Sequence, residues 1–147
     1  MHNQYRTMYG MPALVWDATV AQSAQDWADN CVFDHSNNQY GENLGLFGGS
    51  DPSSVVTQWF SEGCKYTSPG FSETTGHFTQ LIWKSTTKVG CAVGNCPAGI
   101  QGYRSSSSRP GASPNVFVCQ YSTMGNNGSP ATYQVNVPIP ASGPIGC

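Results

Sequence analysis

Six cysteines, Cys31, Cys64, Cys91, Cys96, Cys119 and Cys147, are scattered along a chain of 147 residues. Their even number and wide spacing point to three disulfides made in an oxidising compartment, and a chain stapled three times has few folds open to it. A zinc ribbon is not one of them, because Cys91 and Cys96 have no second close pair to complete the ligand set. With every cysteine expected in a bridge, no thiol is left as an obvious nucleophile. The length fits one domain, 1–147, with enough chain to bury a sizeable core.

The surface of such a domain must be polar without being charged. Charged residues make up only 10% of the chain, against about a quarter in an average domain, so Asn, Gln, Ser, Thr and Gly carry its solubility. A net charge of -2 and a pI near 5.8 give no basic face for nucleic acid and no polybasic patch for a membrane surface. No window is apolar enough to span a bilayer, so no transmembrane segment is expected. Met1-His2-Asn3 lacks the basic flank and apolar run of a signal peptide. The chain therefore reads as a secreted, extracellular protein, either mature or trimmed at the N-terminus.

Residues 2–9 suit a short helix that Gly10 and Pro12 break. Asp17 is a good N-cap, and Val20, Ala24, Trp27, Ala28 and Cys31 recur at helical spacing behind it. The polar stretch 35–46 reads as a loop leading into a short extended segment, and 48–50 as a turn. Asp51-Pro52 opens another helix, with Val55, Val56, Trp59 and Phe60 facing the core. Gly63 ends it and leaves Glu62 in the last turn, where a negative charge opposes the helix dipole. A loop follows at 66–73. The segment 75–83, capped by Thr75, sets His77 among Phe78, Leu81, Ile82 and Trp83. Residues 88–93 and 116–121 read as antiparallel strands. Between them, 99–115 is a long Ser-, Gly- and Pro-rich excursion. The tail, 122–147, reads as irregular, with one short strand at 133–137.

Four residues carry chemistry that pairs up. His35, Glu42, Glu62 and His77 are two imidazoles and two carboxylates, a set that can hold a divalent metal or run general acid–base chemistry. No His-Glu-x-x-His helix brings them together, and each alone is more often structural or solvated. No Gly-x-Ser-x-Gly elbow is present. Tyr66, Phe71 and Phe78 can line an apolar groove, although such aromatics are commonly plain core.

Gly76-His77-Phe78-Thr79-Gln80-Leu81-Ile82-Trp83-Lys84-Ser85 resembles the first signature of the CAP superfamily, which holds cysteine-rich secretory proteins, venom antigens and pathogenesis-related class 1 proteins. Val116-Phe117-Val118-Cys119-Gln120-Tyr121 resembles the second. The likeness extends through Asn3-x-x-Arg6, Pro12-Ala13-Leu14-Val15-Trp16-Asp17, His35-Ser36 and Gly41-Glu42-Asn43-Leu44, and it covers most of the chain to about Tyr121. Ser68-Pro69-Gly70-Phe71 and Trp83-Lys84-Ser85-Thr86-Thr87 look most like fungal members. Beyond Tyr121 the likeness fades to Gly125-Asn126.

The resemblance implies an α+β fold, a three-layer α-β-α sandwich around a small antiparallel sheet. It implies bridges Cys31–Cys96, Cys91–Cys119 and Cys64–Cys147. It also implies that His35, Glu42, Glu62 and His77 converge in one open cleft, where His35 and His77 bind zinc or another divalent cation. The function it implies is a secreted binding module for sterols or other small lipids such as fatty acids, in a pathogenesis-related or virulence setting. The loop around Tyr66 and Phe71 is the candidate lipid-binding element. An extracellular interaction with a host or wall protein, without lipid, is one alternative. A metal-dependent hydrolase is another, and the resemblance points away from it.

Overall fold

In a computed structural model, which describes residues 1–102, 115–141, 143–145 and 147, the chain alternates helices and strands. In order they are α1 (His2–Met8), β1 (Val15–Trp16), α2 (Ala18–Ala28), β2 (Gly41–Phe47), α3 (Ser53–Ser61), a 3-10 turn (Glu62–Lys65), α4 (Gly76–Ile82), β3 (Lys88–Asn95), β4 (Asn115–Ser122) and α5 (Pro130–Asn136). The strands form one sheet in the order β1-β3-β4-β2. Its β3–β4 and β4–β2 ladders are antiparallel, as expected, while β1 adds to the edge in parallel with β3.

β4 shows why there are three layers. It sits between β3 and β2, and all its residues but Ser122 are buried. Side chains alternate across a strand, so Val116 and Val118 join Ala24, Ala28, Leu44 and Ala92 in a core beneath α2. Phe117, Cys119 and Tyr121 point the other way, into a larger core with Val55, Trp59, Phe60, Leu81, Ile82 and Trp83.

The helix α2 starts where Asp17 accepts hydrogen bonds from the N–H groups of Thr19 and Val20, at 3.0 and 3.1 Å. It lies close against the sheet because Gly90 of β3 faces the backbone of Ala21, and Gly94 that of Ala28; a Cβ at either position would collide with it. All three implied disulfides are present, Cys31–Cys96, Cys91–Cys119 and Cys64–Cys147. The fold is the α+β sandwich expected.

Local expectations differ in two places. Cys31 lies past the end of α2, at φ 54°, and Trp27 is only partly buried. The tail is not irregular throughout: the strand expected at 133–137 falls instead within and just after α5. Tyr133, Asn136 and Val137 are buried while Val135 is 66% exposed, which is helical spacing rather than alternation. Pro130 stands in the first turn, where its missing N–H costs little. Residues 103–114 of the expected excursion lie outside the described residues.

Candidate functional site

Glu62 looked misplaced at the end of α3, yet it serves another helix. Its carboxylate accepts from the N–H groups of His77 and Phe78, at 3.0 and 3.2 Å, and meets His77 Nδ1 at 2.7 Å. The charge that opposes the dipole of α3 thus lies at the positive end of α4. Thr75, expected to cap that helix, makes no cap bond and pairs with Ser72 instead. His77 is further fixed by Trp59, stacked on its ring with centroids 5.7 Å apart, and by Asn43, which donates to its carbonyl at 3.0 Å.

The second pair is built on the edge strand β2. His35 Nδ1 lies 2.9 Å from Glu42 Oε1, and the same carboxylate accepts from the Ser36 N–H, the Ser36 hydroxyl and Gln120 Nε2 at 2.7–2.9 Å. Burial pushes the Glu42 carboxyl up, but the bonds from His35, Gln120 and Ser36 outweigh it and hold the pKa below the ordinary value. The bond to Glu42 raises His35, against the opposing effect of burial.

The four residues therefore arrive as two His–Glu pairs. Glu42 shares its row of the sheet with Gln120, whereas Asn43, on the alternate face, holds His77. A cleft of about 360 Å³ is walled by His35, Glu42, Tyr40, Phe71, Gln80 and Asn126, but not by His77 or Glu62. The cleft lined by His35 and Glu42 is also bordered by Gln80, which shares α4 with His77.

The donor chemistry nonetheless suits a divalent cation. Each imidazole has Nδ1 engaged by a carboxylate, an arrangement that orients the ring and leaves Nε2 as the ligand atom. Among the described residues, no three of the four bring ligand atoms within 4.8 Å of one another. The group that does is His2 with Cys91 and Cys119. Those sulfurs are joined in a disulfide and supply no thiolate. His2 Nε2 is also occupied by the Tyr121 hydroxyl at 2.8 Å, and burial above all lowers the His2 pKa to about 4.

The candidate lipid loop divides as well. Tyr66 is buried against Phe78, with ring centroids 5.7 Å apart, and Phe78 itself is core. Phe71 is 60% exposed and borders both the cleft and a smaller cavity of about 160 Å³ beneath the loop. Trp59 and Gln120 were legible only as core and strand residues. Nothing in their spacing signals the partners they reach, 18 and 78 positions away.

The profile of the cysteine-rich secretory protein family (CAP) matches residues 1–121. Fruiting body protein SC7 of Schizophyllum commune is 37% identical over 85% of this chain and 62% of its own length. Secreted protein RBT4 of Candida albicans is 40% identical, and protein PRY2 of Saccharomyces cerevisiae 37%, each over 85% of this chain. The chain spans only 33% and 36% of those two relatives. Among solved structures, MpPR-1i superposes with a TM-score of 0.66 at 22% identity, covering 86% of this chain and 84% of that one. NaASP2, solved with Zn2+, gives 0.61 at 23%, covering 86% and 77%. At these identities the structures speak for the fold alone. No helix among the described residues is long and apolar enough to cross a membrane.

Proposed function

This chain belongs to the cysteine-rich secretory protein (CAP) family, and from that premise we propose that it is a secreted, non-catalytic binding domain for sterols or other small lipids, taken up at the loop around Phe71. The observation that carries the reading is Phe71 itself, a large apolar ring left 60% exposed at the rim of two cavities. Small-ligand sites are concave and largely apolar, with volumes of roughly 300–1,000 Å³. The cavity beneath the loop, at about 160 Å³, holds only part of a sterol, so binding requires the loop to part. Gly70, at φ 147° with open space where a Cβ would be, is the position able to absorb that movement. Titration with a fluorescent sterol is expected to show saturable binding below about 10 μM, weakened about tenfold in Phe71→Ala. The absence of saturable binding in that range overturns the reading.

A divalent cation such as zinc, held by His35 and His77 with Glu42 and Glu62 orienting the rings, is the second part of the proposal. Bound there, it would supply a positive charge and a site for an anionic or oxygen-bearing group. NaASP2, a protein of the same fold solved with Zn2+, is in keeping with this. The saturation of Glu42 by four hydrogen bonds favours an orienting role over that of a general base. Calorimetric titration of chelator-treated protein with zinc is expected to give binding that His77→Ala abolishes; equal affinity in that variant removes the metal from the proposal. An extracellular protein partner remains the alternative if neither lipid nor metal binds.

A further inference from the structure

Asn127 is the only asparagine of the chain that a glycine follows. Asparagine is a thermolabile residue, and before glycine its side-chain amide meets the next backbone nitrogen with no Cβ in the way. The local structure leaves this pair unguarded. Both residues are exposed, and among the described residues no acceptor holds the Gly128 amide. The Asn127 side chain is held by a single bond, from Nδ2 to the Met124 carbonyl at 3.2 Å. Asn126, the residue before it, is instead fixed at both ends of its amide. Its Oδ1 accepts from the Thr79 hydroxyl at 2.6 Å, and its Nδ2 donates to the Gly76 carbonyl at 2.8 Å.

The fold also requires the glycine. Gly128 stands at φ 98°, and a Cβ there would lie 2.7 Å from Thr132 Oγ1 of α5. Asn127 is therefore a loose residue between two anchored ones, Asn126 on the first turn of α4 and Gly128 against α5. Asn126 also walls the cleft of His35 and Glu42, together with Met124 and Gly125. His77 directly follows Gly76, so a change that reaches Asn126 reaches the turn that carries this histidine.

We propose that Asn127 is a site of spontaneous deamidation, and that isoaspartate formed there loosens the hold of Asn126 on α4, at the wall of the His35 cleft. The Gly128 nitrogen attacks Asn127 Cγ and gives up its proton. The Cγ–Nδ2 bond breaks, and Nδ2 takes up a proton and leaves as ammonia. Solvent water then opens the succinimide. Attack at Cγ gives aspartate, and attack at the main-chain carbonyl of residue 127 gives isoaspartate. Either product removes the donor that held the Met124 carbonyl and adds a negative charge. Isoaspartate also inserts a methylene into the main chain between two anchored residues, and Asn126 must yield to it. None of this depends on what the cleft binds.

The test ages the full chain, Asn127→Gln and Asn127→Asp in warm, mildly alkaline buffer, both folded and in urea. Peptide mass mapping and labelling by an isoaspartyl methyltransferase locate the product. In the folded wild type, position 127 is expected to convert before every other asparagine, with isoaspartate exceeding aspartate. The Asn127→Gln variant is expected to stay unlabelled there. Hydrogen exchange then reads the consequence. In isoaspartate protein isolated by ion exchange, the amides of α4 are expected to exchange about fivefold faster than in fresh protein, the magnitude of one lost hydrogen bond. Asn127→Asp, which has the charge without the added methylene, is expected to show a smaller rise. Conversion in urea but not in the folded chain overturns the site, because the loop then protects Asn127. So does an N-glycan on Asn127 in chain secreted from a eukaryotic host, since Asn127-Gly128-Ser129 is also an acceptor sequence. Unchanged exchange in the isoaspartate form overturns the link to α4.

Discussion

Arg6 brings a full charge into the core, 0% exposed, with no carboxylate bonded to it. Its guanidinium donates instead to the carbonyls of Pro12, Leu81, Trp83 and Thr86 at 2.8–3.1 Å. Leu81 and Trp83 lie at the C-terminal end of α4, where carbonyls lack intrahelical partners and the dipole favours a cation. Burial lowers the Arg6 pKa to about 10, still charged at neutral pH. Replacing Arg6 with Met strands those carbonyls and is expected to cost about 3–5 kcal/mol in urea unfolding. Arg6→Lys keeps the charge without the fork and should fall in between. The His35–Glu42 pair gives a pH signature in metal-free protein. Glu42, with its folded pKa depressed, contributes stability above the ordinary 4.5 that is lost as pH falls through the folded value. His35, with its folded pKa raised, contributes stability below the ordinary 6.5 that is lost as pH rises through the folded value. The Tm difference between wild type and His35→Gln, read in chelator, should therefore peak between about pH 4.5 and 6.5 and shrink on both sides. At this scale the sequence showed which side chains were chemically unusual, including both histidines of the candidate site. For Glu62 only the opposition to the α3 dipole was readable, because the helix that benefits from its charge begins 14 positions downstream.

Among elements, α2 depends on what the sheet omits. Gly90 faces the backbone of Ala21, so Gly90→Ala must push α2 off the sheet or bend β3. A loss of about 2–4 kcal/mol is expected by chemical denaturation, and a variant as stable as wild type would show that α2 does not pack as described. The second and third helices and both central strands were readable in advance, because caps, apolar spacing and turn residues agreed within each segment. The parallel pairing of β1 was not readable, since two residues carry no periodicity and their partner lies more than 70 positions away. Nor was α5: alternating Tyr133, Val135 and Val137 imitate a strand, and only packing on Trp83 reveals that Val135 faces out.

For the molecule as a whole, two of the three bridges join segments that the sheet alone does not bind. Cys31–Cys96 ties the end of α2 to the residue after β3, and Cys91–Cys119 links register partners of β3 and β4. Cys64–Cys147 spans 83 positions and fastens the tail to the 3-10 turn. The paired substitution Cys64→Ser/Cys147→Ser is expected to remove about 2–4 kcal/mol, a fall in Tm of roughly 5–15 °C for a domain of this size. A scanning calorimetry trace that does not move would mean the tail contributes nothing to global stability. The family resemblance supplied these pairings, and the layer order with them, because six cysteines alone admit 15 connectivities. That last bridge has a practical side. Cys147 is held at Cys64, two positions before Tyr66, so any linker continuing past it leaves the domain at the lip of the loop. A bulky fusion or an immobilisation tag placed there would stand beside the proposed ligand site, and binding assays on such a protein are expected to read affinity too low.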